Sequence, residues 1–148
     1  MPRILVVDDQ AEVRAMISIV LRLHRFEIVE AANAAAALEA FEGTSFDAAI
    51  VDIFLEGTNG CDLITMMRER ASDLAVVAIS GMTTLDFVSQ WPDLADVICL
   101  QKPVRPNELM LAIEAARKAV RRATAGGNVE EGQLDRGENA PANRGVAL

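Results

Sequence analysis

No uncharged apolar run in the chain approaches the roughly 20 residues that cross a bilayer. Its start, Met1-Pro2-Arg3-Ile4-Leu5-Val6-Val7, is too short an apolar stretch for a secretory core and runs at once into acid. These two absences predict a cytoplasmic protein without a membrane partner. Cysteine is scarce, and Cys61 and Cys99 fit no metal or redox spacing. Each reads as a small core or half-buried residue, and no disulfide is expected in that compartment. Basic charge is short as well: 14 Lys and Arg face 22 Asp and Glu, a formal net charge of −8. A phosphate backbone calls for a basic face, so this balance is a light argument against direct nucleic-acid binding. The single histidine, His24, closes an amphipathic segment beside Arg25, where a cation at a helix C-terminus is the simplest reading. No long internal repeat occurs.

What the chain does have is 148 residues of strand-like runs alternating with helical periodicity, enough for one domain with a remainder. Arg3 to Val7 reads as a first strand. In Ala11 to Leu23, Val13, Met16, Ile17, Val20 and Leu21 recur at helical spacing. Phe26 to Ala31 reads as a second strand and Asn33 to Phe41 as an alanine-rich helix. Ala48-Ala49-Ile50-Val51-Asp52 is an unbroken small and apolar run, the pattern of a strand covered on both faces. A loop is expected over Glu56 to Gly60, then a helix from Cys61 to Arg70 with Leu63, Ile64 and Met67 inward. Leu74 to Ile79 is a further strand ending in Ser80-Gly81, and Met82 to Trp91 a short helix stopped by Pro92. Val97 to Leu100 is the fifth strand, and Pro106 opens a last helix carrying Leu109, Ala112, Ile113, Ala116 and Val120. Beyond Ala123 the periodicity fades, and Thr124 to Leu148 holds five of the nine glycines. A disordered tail over 124–148 is expected, following a domain over 1–123. Five strand-helix alternations predict an α/β fold: one five-stranded parallel sheet with helices on both faces.

In that fold the carboxyl ends of four strands bring polar groups to one edge, where open α/β sheets place their ligands. The groups are Asp8 and Asp9, then Asp52, then Ser80, then Lys102. Three crowded carboxylates require a compensating cation, and oxygen ligands with room for water suit Mg²⁺. A serine hydroxyl and a lysine can hold phosphoryl oxygens, while a carboxylate can act as the nucleophile.

Across about Arg3 to Arg122 the sequence resembles the receiver domain of two-component response regulators. The resemblance is carried by Asp8-Asp9 after the first strand, Asp52 after the third with Gly60 at the family's interval, Ser80-Gly81 after the fourth and Lys102-Pro103 after the fifth. It implies a flavodoxin-like (βα)5 fold and a phosphoacceptor rather than an enzyme, with self-catalysed phosphorylation and slow autodephosphorylation. Asp52 would be the phosphoacceptor. Asp9, Asp52 and the main-chain carbonyl of Phe54 would hold Mg²⁺ directly, and Asp8 would act largely through water. Ser80 would bond the phosphoryl group, Gly81 would leave it room, and Lys102, ahead of a cis proline bond, would pair with its charge. The implied partners are a histidine kinase or histidine phosphotransfer protein upstream and an unspecified protein downstream.

Some positions depart from the family pattern. The aromatic switch position holds Cys99, Arg25 stands where a glycine is usual, and Ala95-Asp96 replaces a common Gly-Ala. Signal output is therefore expected to use the Ser80 to Trp91 segment, with Trp91 as its reporter. Phe54 and Met82 occupy two positions near the phosphoryl site that are commonly polar, so hydrolysis is expected to be slow. The expected function is that of a single-domain response regulator. The alternatives are a phosphate sink or shuttle in a phosphorelay and, more remotely, an aspartate-nucleophile phosphatase. In that phosphatase class the nucleophile follows the first strand as Asp-x-Asp, whereas here the pair is adjacent. A degenerate receiver kept only as a scaffold is disfavoured by the complete acidic set and Lys102. The basic group Arg117, Lys118, Arg121 and Arg122 reads as helix-terminal charge before it reads as a nucleic-acid surface.

Overall fold

In the computed structural model, which describes residues 1–133, five strands pair in parallel with the strand over Glu27–Ala31 at one edge, followed by those over Arg3–Val7, Ala48–Asp52, Ala75–Ser80 and Ile98–Gln101. They are β1 (Arg3–Val7), β2 (Glu27–Ala31), β3 (Ala48–Asp52), β6 (Ala75–Ser80) and β7 (Ile98–Gln101). Every residue of β3 and β6 is buried. Continuous rather than alternating apolar runs in these two central strands follow from cover on both faces. Alternate residues of each strand feed opposite cores. Leu5, Val7, Ala49, Val51, Val76 and Ala78 face the side of α2 (Ala34–Gly43), α3 (Gly60–Arg70) and α4 (Thr84–Gln90). Ile4, Val6, Ala48, Ile50, Val77 and Ile79 face α1 (Ala11–Leu23) and α5 (Pro106–Gln133). The expected α/β architecture is thus the observed one, and the register sets Val7 beside Val51, Asp52 beside Ile79 and Ser80 beside Gln101.

Local detail adds to the expected elements. The loop after β3 folds back as a two-residue antiparallel ladder, β4 (Phe54–Leu55) on β5 (Thr58–Asn59), turned by Gly57 at φ 79°. Helix α4 starts later than the sequence suggests because Thr83 caps it, its Oγ1 accepting from the Asp86 N–H at 3.2 Å. After α4, Pro92 begins a 3-10 turn, Pro92–Leu94. Helix α5 runs to Gln133, past Ala123, after which the tail is expected to begin. Ala123, Thr124 and Ala125 are compatible with a helix, and Gly126-Gly127 weakens one by about 1 kcal/mol each without blocking it as proline would. The rest of the expected tail, 134–148, lies outside the described residues.

The end of α1 explains Arg25. The Phe26 N–H donates to the Leu21 carbonyl at 3.1 Å and the Arg25 N–H to the Arg22 carbonyl at 3.0 Å, the paired bonds of a Schellman motif. Phe26 then packs into the same core as Leu21 and Val20. The motif places Arg25 at φ 68°, where a side chain is strained and glycine is not. His24 caps the helix as expected, its Nδ1 lying 3.0 Å from the Val20 carbonyl. Because the Arg25 side chain is exposed and makes no hydrogen bond or ion pair among the described residues, Arg25→Gly should stabilise the protein by about 0.5–1 kcal/mol. In a thermal melt Tm should rise by about 2–4 °C, and Arg25→Ala, which keeps the Cβ, should give no such rise.

Candidate functional site

Asp52 ends β3 at 3 % exposure, and the chain around it leaves little freedom. Its Oδ1 accepts from the Phe54 N–H at 3.0 Å and its Oδ2 from Lys102 Nζ at 3.1 Å. Helix α3 begins against the strand that carries it. The Gly60 N–H donates to the Ile53 carbonyl at 2.7 Å, and Asn59 Oδ1 caps the helix by accepting from the Cys61 N–H at 2.7 Å. A Cβ on Gly60 would lie 2.7 Å from the Ile53 Cα and inside contact distance of the Asp52 carbonyl oxygen. Glycine is required at position 60 by this close approach. At Gly81 a Cβ would meet no protein atom within 4 Å, so packing does not demand glycine there.

Asp8 and Asp9 leave β1 beside Asp52, and one carboxylate oxygen from each of the three lies within 4.8 Å of the others. Asp9 is exposed, its Oδ2 accepting from the Glu56 N–H at 3.1 Å across to the small ladder. Asp8 is fully buried. Its Oδ1 accepts from the Gln10 N–H at 2.8 Å, while Oδ2 has no hydrogen-bond partner among the described residues and sits 3.7 Å from Lys102 Nζ. Burial pushes the Asp8 carboxyl above its ordinary value of 3.8. The Gln10 N–H opposes that, Asp52 adds to it, Lys102 opposes it and Asp9 adds to it. Lys102 follows β7 ahead of a cis bond to Pro103, as expected, and also donates to Gln10 Oε1 at 3.1 Å. The buried, unpartnered Asp8 oxygen and the all-oxygen character of the cluster fit a hard divalent cation such as Mg²⁺.

Ser80 ends β6 at 1 % exposure, its Oγ accepting from the Met82 N–H at 2.8 Å and keeping its own proton to donate. Phe54 is 57 % exposed, whereas Met82 packs partly into the core. Cys99 and Trp91 pack against that same core, with Phe87 fully buried beside Trp91 at a ring separation of 5.4 Å. Both cysteines are free, and burial pushes Cys61 up to about 12 and Cys99 up to about 11, so neither offers a thiolate near neutral pH. Asp96 has a packing role: Arg68 at the end of α3 donates to it at 2.9 Å and pairs with its other oxygen at 2.8 Å. That pair ties α3 to the segment entering β7.

The edge thus gathers Asp8, Asp9, Asp52, Ser80 and Lys102, with Phe54 adjoining through its backbone. Cys99 and Trp91 stand apart in the core beneath. Four contributors lie outside the expected set. Gln10 bonds the lysine, Arg14 Nη1 holds the Asp8 carbonyl at 2.6 Å, the Glu56 backbone holds Asp9, and Phe87 supplies the ring beside Trp91. The weak periodicity of α4 hides Phe87, and nothing in sequence marks a backbone N–H as a site group.

A family model described as response regulator receiver domain matches residues 4–114. The chain is 33% identical over 113 residues to the DNA-binding response regulator MtrA of Mycobacterium tuberculosis, covering 76% of this chain and 49% of that protein. It is 25% identical over 146 residues to the regulatory protein VanR of Enterococcus faecium, covering 99% of this chain and 60% of that one. The chain therefore spans about half to three-fifths of the length of these relatives. Among solved structures it is similar to a CheY-like response regulator receiver domain protein from Methanospirillum hungatei, with a TM-score of 0.74 and 23% identity over 83% of this chain and 98% of that one. It is also similar to the response regulator TrrA from Thermotoga maritima, solved in complex with Mg²⁺ and BeF, with a TM-score of 0.70 and 26% identity over 78% of this chain and 99% of that one.

Asp8 carries a pH consequence. Its carboxyl is held above 3.8 in the fold, so the native state binds the proton more tightly than the unfolded chain. The charged form costs stability in full above the folded value, and that cost is relieved as pH falls through it towards 3.8. Without divalent metal, Asp8→Asn should stabilise the protein at neutral pH by on the order of 1 kcal/mol. Paired denaturation curves at successively lower pH should show the advantage shrinking as the parent takes up its proton.

Proposed function

Because the chain belongs to the response regulator receiver domain family, we propose that Asp52 accepts a phosphoryl group in a Mg²⁺-dependent reaction and that the phosphorylated form has altered affinity for a partner protein. The donor is a histidine kinase or histidine phosphotransfer protein. The observation that carries this reading is Asp52 itself, buried at a strand end among two further carboxylates with Lys102 on its Oδ2 at 3.1 Å.

Asp9, Asp52 and the Phe54 main-chain carbonyl would hold the metal and Asp8 would act through water, the ion supplying the positive charge that offsets the carboxylates and the incoming phosphoryl group. An Asp52 oxygen forms the new bond to phosphorus as the donor's phosphorus–nitrogen bond breaks. The imidazole nitrogen keeps the electron pair. Lys102 exchanges its contact with Oδ2 for the phosphoryl oxygens, and the Ser80 hydroxyl donates to another of them. That pull on Ser80 reaches the neighbouring segment through the Met82 N–H bond and moves α4 with Trp91. DNA binding belongs by name to the MtrA relatives, which are about twice the length of the matched region.

Incubated with a small phosphodonor and Mg²⁺, the protein should label stoichiometrically, and chelator, Asp9→Ala or Asp52→Asn should each nearly abolish labelling. Full labelling of Asp52→Asn would end the phosphoacceptor reading. The lifetime has a separate test. Neither the Phe54 nor the Met82 side chain can orient an attacking water. Replacing them by Asn and Gln should shorten the phosphorylated lifetime by about tenfold, measured as decay in excess Mg²⁺ after donor removal. An unchanged decay would show that water access at these positions is not limiting.

A further inference from the structure

We propose that Gln10 is a positioning residue whose side-chain carbonyl shares the Lys102 ammonium with Asp52, and so sets how strongly that ammonium competes with a divalent cation for the carboxylates. The proposal rests on the phosphoacceptor reading of the site and adds a residue that the acidic cluster and the lysine do not by themselves include.

Gln10 occupies the N-cap of α1, with extended backbone at φ −90° and ψ 111° and its carbonyl accepting from the Arg14 N–H at 3.0 Å. Ser, Thr, Asp or Asn at such a position caps the helix and stabilises it by about 1 kcal/mol. Gln10 makes no side-chain cap hydrogen bond. Its side chain turns away from the helix and accepts from Lys102 Nζ at 3.1 Å, across 92 residues of sequence. A local rule is broken where a long-range contact to the site is made, the pattern expected when function overrides local stability.

The consequence follows from donor counting. An ammonium has three N–H donors and no acceptor. Lys102 gives one to Asp52 Oδ2 and one to Gln10 Oε1, each at 3.1 Å, and stands 3.7 Å from Asp8 Oδ2. The glutamine oxygen is neutral, so it directs the ammonium without adding negative charge. Asp8 Oδ2 is buried, without a hydrogen-bond partner among the described residues and 3.7 Å from that ammonium, which Gln10 holds back from a closer approach. With Gln10 removed, the ammonium closes on Asp8 and neutralises charge that a cation would otherwise use. Metal affinity then falls.

Calorimetric titration with Mg²⁺, with no phosphodonor present, reads this directly. Gln10→Met keeps length and removes the acceptor. Gln10→Ser restores a capping side chain that cannot reach Lys102. Both should weaken Mg²⁺ binding by about threefold to tenfold, although the serine variant should melt at a higher temperature than the parent. In a Lys102→Met background the same changes at position 10 should leave affinity within about twofold, the signature of coupling between the two side chains. Parent-like binding by either variant, or equal weakening with and without Lys102, would overturn the proposal. A failure of the phosphoacceptor reading would appear elsewhere, as missing Mg²⁺-dependent labelling of the parent.

Discussion

Two buried carboxylates, a third exposed beside them and one shared lysine make an imbalance of charge at the carboxyl edge of the sheet, and much of the structure is arranged to tolerate it. Like charges at 4.8 Å repel by about 3 kcal/mol at an effective dielectric of about 20. That is as large as a strong charge-assisted hydrogen bond, so each contact to the cluster matters. The Gln10, Phe54 and Glu56 backbone N–H groups each take one carboxylate oxygen. Lys102 is divided between Asp52 and Gln10, and one Asp8 oxygen is left unpartnered. A cluster held together yet under-compensated is suited to a cation and to a phosphoryl group that arrives with one.

The apolar framework keeps the carboxylates from spreading apart. Asp52 cannot retreat, because β3 is buried along its length and α3 starts against its carbonyl through Gly60. Ser80 cannot follow it freely, because β6 is equally buried. Beyond Ser80 the elements are short: α4 is only seven residues long and is followed by a 3-10 turn. Phe87 and Trp91 anchor that segment to the core, and the Arg68–Asp96 pair fixes the chain just after it. With Cys99 rather than a ring on β7, the aromatic pair of this region is Phe87 on α4 and Trp91 at its C-cap.

Strand identity and the edge set were legible because they depend on runs of residue type: AAIVD and AVVAIS can hardly be anything but covered strands, and each ends in a polar residue. Helix boundaries were less legible where a cap decided them, as at Thr83. Arg25 was visible as an oddity, but its left-handed backbone is dictated by the Schellman bonds from Phe26 and Arg25 back to Leu21 and Arg22. Gln10 was hidden for a different reason. Its partner is 92 residues away, and no local pattern reports a contact made only when β7 comes to lie in the same sheet as β1.

On the proposed reading Asp52, and neither of the other two carboxylates, becomes the mixed anhydride. Reduction with borohydride converts an aspartyl phosphate to homoserine, and mass spectrometry of the resulting peptides locates it. Treatment of the phosphorylated protein should place homoserine at position 52 alone. Homoserine at position 8 or 9, or none in protein that carries phosphate, would contradict the account.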